Sequence, residues 1–303
     1  MGADYEFFNK FQLDLYSNYG CMLDKLRSYP NFWHYNNLSH IRSGRNFFNL
    51  YSHNYYLEYA KRFDKKRDTA LKVLEVGVFQ GFSILLWEKY FTKAEIYGID
   101  ITLDTKWLNK TPVDLLKDKK RVHLFEFDAC RKENVDKFLK ENGGEFDIII
   151  DDGSHLGHHQ ILTTLYYLPL LKRDGIMVIE DIGLFYNAEE TEYIHLCYQD
   201  EVDVNYPPNM DRGTEKEFNM PVFEYFMLNY KNIKKNKDHK LYPLCQNTNL
   251  EILDEIQIDW IEPLKDDVIL DDVDIKGTNS SAEIIGNSKM AFITYKKYFK
   301  RWS

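Results

Sequence analysis

The run FDIIIDDGSHLGHHQ, residues 146–160, places two carboxylates directly after apolar residues and follows them within eight positions with three histidines. A second run, GIMVIEDI at 175–182, also ends in acids, Glu180 and Asp181. If the two apolar runs are neighbouring parallel strands, about 4.8 Å apart, then Asp151, Asp152, Glu180 and Asp181 meet in the crevice beyond the strand ends. Four carboxylates in one crevice repel one another unless a cation or shared protons compensate. Oxygen donors with room for water or hydroxyl ligands suit Mg²⁺ or Mn²⁺ in an octahedral site, and the lack of clustered cysteines disfavours zinc. His155 follows Asp152 by three residues, and an imidazole there can accept a proton near neutral pH. Plainer accounts exist: His155 as a helix-start residue making local hydrogen bonds, and Glu180-Asp181 as a capping doublet. His158 and His159 begin a helix and receive no role.

Positioning these groups is the task of the surrounding elements. Residues 72–182 alternate short apolar, β-prone runs with helix-length amphipathic segments, the pattern of β-α units feeding a parallel sheet. The spacing predicts strands at 73–78, 95–99, 122–127, 146–150 and 176–179, with helices at 83–90, 132–141 and 158–171. ENGGE at 141–145 and RDG at 173–175 read as helix-to-strand joints. Outside this block, residues 1–68 read as aromatic-rich helices without a core of their own, packing on the sheet domain or on another subunit of a homo-oligomer, as a lid or an interface. Residues 69–303 form the main domain, with a binding loop at about 183–221 that carries Pro207, Pro208, Gly213 and Pro221. PVFEYFMLNYKNI reads as a helix, and IQIDWIE and MAFITYK read as closing strands around a polar insert at 265–288. Within that insert, DVDIKGTNSSAE at 272–283 imitates a calcium loop but has Lys276 at its fifth position, and reads better as a surface loop.

A second constellation begins at KVLEVGVFQGFS, where a strand ends in Glu75-x-Gly77-x-x-x-Gly81-x-Ser83 and enters a helix. Glycine lets the backbone turn sharply and approach a ligand, and the helix N-terminus offers free N–H groups. Phe79 spoils the dinucleotide fingerprint, and no Gly-Lys-Ser/Thr follows, so pyrophosphate is disfavoured. The next strand ends in Asp100, placed to accept hydrogen bonds from ribose hydroxyls. The one after ends in FEFDA, where Asp128 could accept from an adenine amino group. A tight strand-to-helix turn is the plainer reading of the glycines.

Composition narrows the class. A chain of 303 residues, 44% hydrophobic, can bury a full core. Its formal charge of −9 argues against a nucleic-acid or anionic-membrane surface. Cys21, Cys130, Cys197 and Cys245 lie far apart, which fits a reducing cytoplasm rather than a disulfide framework. No apolar run approaches the roughly 20 residues of a membrane span.

Glycine loop, ribose acid and adenine acid, in this order at successive strand ends, resemble the class I S-adenosylmethionine-dependent methyltransferases over roughly residues 70–182. IIDDGSH, the following HHQI, LLKRDGIMVIEDI and the upstream SHNYYLEYAKRF at 52–63 resemble one branch, the metal-dependent O-methyltransferases of macrolide sugars and their cephalosporin-hydroxylase-like relatives. The resemblance implies a Rossmann-like α/β sheet with helices on both faces. It further implies Mg²⁺ held by Asp152, Glu180 and Asp181, His155 as catalytic base, and S-adenosylmethionine held by Glu75, Gly77, Gly81, Ser83, Asp100, Asp128, Asp151 and Tyr55. The implied reaction is methylation of a hydroxyl on a sugar, whether free, nucleotide-linked or part of a glycan precursor. An oxygenase like the cephalosporin relatives, or a non-catalytic nucleotide- or cofactor-binding subunit, would share parts of this pattern.

Overall fold

A computed structural model describes residues 7, 55–79, 81–103, 116–183, 218–246, 248–261 and 289–296, with backbone alone for Tyr55, Tyr56, Leu57 and Phe82. Most of the N-terminal segment, nearly all of the expected binding loop, the insert at 265–288 with its calcium-loop imitation, and Cys21 and Cys197 lie outside these residues. The chain divides into two compact units, Met1–Phe127 with Pro263–Gly286 and Asp128–Glu262 with Asn287–Ser303.

The first unit contains α1 (Tyr55–Phe63), β1 (Lys72–Val76), α2 (Phe82–Tyr90), β2 (Glu95–Asp100) and β3 (Val122–Glu126). Its strands are parallel in the order β3-β2-β1, with Leu74 opposite Tyr97 and Gly98 opposite Leu124. Val73, Leu74, Ile96 and Ile99 are buried, as are Ile84 and Trp87 of α2. Tyr59 and Phe63, one turn apart on α1, close on the Trp87 ring at 5.3 and 6.0 Å. The end of the aromatic N-terminal segment therefore packs within its own unit.

The second unit holds α3 (Lys132–Asn142), β4 (Phe146–Asp151), α4 (Gly157–Tyr167), β5 (Leu171–Ile182), α5 (Val222–Ile233), β6 (Ile256–Ile261) and β7 (Lys289–Tyr295). β4 runs parallel to β5, and β7 runs antiparallel to both β5 and β6. Every residue of β4 is buried, as expected of a parallel strand covered on both faces. α4 packs on β4 and β5 and against α5. The seven described strands and their crossover helices make the Rossmann-like α/β fold expected from the sequence.

Two elements differ from expectation. The helix expected to reach residue 171 ends at Tyr167 and passes into a 3₁₀ turn at Leu168–Leu170, because Pro169 lacks the N–H that an α-helix needs. β5 begins at Leu171 rather than 176, so Arg173-Asp174-Gly175 is strand and not a joint. Its polar residues are matched across the sheet: Lys172 Nζ lies 3.0 Å from Asp147, and Arg173 pairs with Glu255. Gly175 is demanded by crowding, since a Cβ there would sit 2.7 Å from Leu171 Cδ1 and 3.0 Å from the Lys172 carbonyl oxygen. The expected joint at 141–145 is present, with Gly143 at φ 72° closing α3.

Candidate functional site

The register of β4 and β5 carries the acids. Ile150 lies opposite Val178 and Asp151 opposite Ile179, so Asp152, just past the end of β4, stands level with Glu180, and Asp181 follows within the last residues of β5. Ligand-type atoms of Asp152, His155 and Asp181 lie within 4.8 Å of one another. His155 Nε2 stands 4.0 Å from Asp152 Oδ1 and 3.9 Å from Asp181 Oδ2. The Asp181 side chain is almost wholly buried, whereas those of Asp152 and His155 are about one-fifth exposed (22% and 19%), which leaves one side of the cluster open. Glu180 is buried and is not part of this group.

The backbone is bent to achieve this. His155 adopts φ 57° and Asp181 φ 53°, left-handed values that a Cβ disfavours and that persist where the surroundings enforce them. Asp151, expected in the crevice, instead turns inward. It is 4% exposed, and its carboxylate accepts hydrogen bonds from the Gly153 N–H at 3.2 Å and from the Thr163 hydroxyl of α4. Burial pushes its pKa up, while the Thr163 and Gly153 hydrogen bonds and the nearby His155 pull the other way. Two of the four expected carboxylates therefore join the cluster, and Asp151 braces the turn beneath it. Ser154 Oγ and His159 Nδ1 are 2.7 Å apart, giving His159 a local bracing role that sequence left open.

In the first unit the glycine loop is formed as expected. Gly77 has φ 96°, and Gly81, at φ 82°, is the residue from which α2 starts. Asp100 ties this loop down: its Oδ2 accepts from the N–H groups of Val78 at 2.8 Å and Phe79 at 2.7 Å, and its Oδ1 from Thr102 at 3.2 Å. Glu75 is buried below the loop and Ser83 is half-buried in the first turn of α2. Phe79, at φ 46°, is 66% exposed. In the second unit Asp128 accepts from the Cys130 N–H at 2.9 Å and pairs with Arg131 Nε at 3.3 Å. Tyr55 lies on α1, its side chain outside the described residues.

The cluster at the β4 and β5 ends suits a divalent cation. Its two carboxylates supply hard oxygen donors without thiolate, the donors preferred by Mg²⁺ or Mn²⁺, and the imidazole beside them can serve as a base. Nδ1 of His155 is buried and finds no hydrogen-bond partner among the described residues, so only its Nε2 side faces a polar group, and that group is the acid pair.

Residues 74–182 match the family described as "Methyltransferase domain". The matched segment runs from β1 through β5 and includes the glycine loop, Asp100, Asp128 and both acidic strand ends. Among curated proteins, the chain is 32% identical over 135 residues to mycinamicin VI 2''-O-methyltransferase of Micromonospora griseorubida, covering 42% of this chain and 31% of that one. It is 31% identical over 141 residues to 8-demethyl-8-alpha-L-rhamnosyl tetracenomycin-C 2'-O-methyltransferase of Streptomyces olivaceus, covering 44% and 34%. The chain thus spans about a third of the length of the curated relatives it matches. A solved structure of the MycE methyltransferase of the mycinamycin biosynthetic pathway, in complex with Mg and SAH, aligns with 80% of this chain and 49% of its own at 18% identity and a TM-score of 0.46. Among the described residues no helix is long and apolar enough to cross a membrane.

Proposed function

We propose that this chain transfers a methyl group from S-adenosylmethionine to a hydroxyl of a sugar or sugar-bearing small molecule, with Mg²⁺ or Mn²⁺ as cofactor. The observation that carries this is the Asp152, His155 and Asp181 cluster on a segment that matches methyltransferase domains. The likeness to an O-methyltransferase named for a rhamnosyl tetracenomycin supports the choice of acceptor.

Asp152 and Asp181 would hold the cation, with Glu180 as a further carboxylate. A bound cation supplies Lewis acidity, which lowers the pKa of an alcohol from its unreactive value and fixes its orientation. S-adenosylmethionine supplies a methyl group on a positively charged sulfur, a good leaving group. The acceptor oxygen forms a bond to that methyl carbon as the carbon–sulfur bond breaks and its electron pair returns to sulfur, giving S-adenosylhomocysteine. The hydroxyl proton passes to His155 Nε2, which requires an imidazole protonated only at Nδ1 beforehand. Nε2 stands about 4 Å from the Asp152 and Asp181 oxygens, on the side where a hydroxyl held at the cation would lie. Glu75, Gly77, Gly81, Ser83 and Asp100 are assigned to the cofactor. In this assignment Asp100 meets the ribose with the one lone pair that its three N–H partners leave open, and Asp128 accepts from the adenine amine. Asp151 is assigned to bracing, because it turns inward, 4% exposed, onto the Thr163 hydroxyl and the Gly153 N–H.

The test is incubation of the purified chain with methyl-labelled S-adenosylmethionine, Mg²⁺ and a panel of free sugars, nucleotide sugars and glycosylated polyketides. Label on a saccharide, abolished by chelator, is the expected result. Label retained in full in chelator would contradict the cation's role, and label on none of these acceptors would contradict the acceptor class.

A further inference from the structure

Gln160 lies in α4, 2% exposed, and its Nε2 donates a 2.9 Å hydrogen bond to the carbonyl oxygen of Glu180. That carbonyl belongs to the peptide immediately before Asp181, and φ of Asp181 is the rotation relative to that peptide plane. Holding the carbonyl therefore holds the plane against which Asp181 keeps its left-handed φ of 53°. The bond has a cost: Gln160 Oε1 is buried without a hydrogen-bond partner among the described residues. A half-satisfied amide in a core is unfavourable next to an apolar side chain of the same size, so packing alone does not explain a glutamine here. Three residues on, Thr163 holds the Asp151 carboxylate at the end of β4. One face of α4 thus grips both strand ends, Thr163 that of β4 and Gln160 that of β5.

We propose that Gln160 is a positioning residue: through the Glu180 carbonyl it sets the Asp181 carboxylate relative to Asp152 and His155. This rests on the cation site proposed above, and partners one shell beyond metal ligands characteristically govern affinity by 10–100-fold. The test is Mn²⁺ titration followed by electron paramagnetic resonance, with melting temperatures measured in parallel, on the wild type, Gln160→Met, Gln160→Leu and Thr164→Val. Methionine keeps the length of glutamine and removes the donor. Leucine also removes the donor at similar bulk, and it decides the matter should the methionine variant not fold. Thr164 is equally buried on the same helix, with an unpartnered hydroxyl among the described residues, and controls for a general disturbance of α4. Both Gln160 variants should bind Mn²⁺ about tenfold or more weakly, while Thr164→Val should match the wild type whatever its melting temperature. Wild-type Mn²⁺ affinity in the folded Gln160 variants, or an equal loss in Thr164→Val, would overturn the positioning role. Failure of the wild type to bind Mn²⁺ saturably would overturn the cation site itself.

Discussion

The glycine loop after β1 and the acidic turn after β4 have one plan and two solutions. Each follows a buried parallel strand and enters a helix, and each depends on left-handed backbone. In the loop these conformations fall mainly on Gly77 and Gly81; at the acidic site they fall on His155 and, at the end of β5, Asp181. A loop that offers backbone N–H groups can dispense with side chains, so glycine relieves it of strain, with Phe79 the exception. The acidic site needs its imidazole and carboxylate, so it retains a strain of about 1–2 kcal/mol per left-handed residue. The supports are also reversed. A carboxylate, Asp100, holds the loop's N–H groups, whereas at the acidic site neutral side chains, Thr163 and Gln160, hold a carboxylate and a strand end.

The contrast is sharpest at the residues that have no substitute. Asp152→Asn and Asp181→Asn should each remove nearly all cation-dependent turnover while the chain stays folded, because losing a carboxylate also relieves repulsion. Glu180→Gln, outside the tight cluster, should lose less. Rates measured against Mg²⁺ concentration check the order. His155→Ala should lower turnover by about 10²–10⁴-fold with little change in S-adenosylhomocysteine affinity, and near-normal turnover would reduce His155 to a structural residue.

Smaller effects should run in opposite directions at the two regions. Gly81→Ala places a Cβ on a left-handed residue and should destabilise by about 1–2 kcal/mol, lowering the melting temperature by roughly 2–6 °C. His155→Gly should leave the melting temperature equal or higher while activity is lost. If Gly81→Ala and His155→Gly shifted the melting temperature in the same direction, the difference between the regions would be spurious.

The smallest effect concerns Asp151. Its pKa is raised in the fold by burial, so the folded state holds this proton more tightly than the unfolded chain. That contribution to stability is full below the ordinary carboxylate range and is lost as pH rises through the raised value. Asp151→Asn removes the buried charge and keeps an acceptor for Gly153. Denaturation curves from acid to neutral pH should therefore show the variant gaining on the wild type as pH rises, and a gain on acidification would contradict the burial account.

Much of this was written in the sequence. The strand ends, the glycine turn and the meeting of Asp152 with Asp181 follow from apolar runs that terminate in acids. The inward turn of Asp151 was not legible, because β4 is buried on both faces and alternation of hydrophobicity cannot say which of two consecutive aspartates faces the crevice. The first half of β5 was also hidden. Arg173, Asp174 and Gly175 read as a joint, and only partners distant in sequence, Asp147 for Lys172 and Glu255 for Arg173, make this polar run acceptable in a strand. The role of Gln160 was not legible either, because its partner, the Glu180 carbonyl, is twenty residues away and meets it only in the fold.

The central claim is that cofactor binding and cation chemistry reside in separate parts of the chain. Calorimetry of S-adenosylhomocysteine with wild type and Asp181→Asn, each in chelator and in Mg²⁺, tests it most directly when methyl transfer is measured on the same samples. The expected result is equal S-adenosylhomocysteine affinity in all four conditions, with transfer only in wild type with Mg²⁺. Tight binding of NAD in place of S-adenosylhomocysteine, or full transfer in chelator, would contradict it.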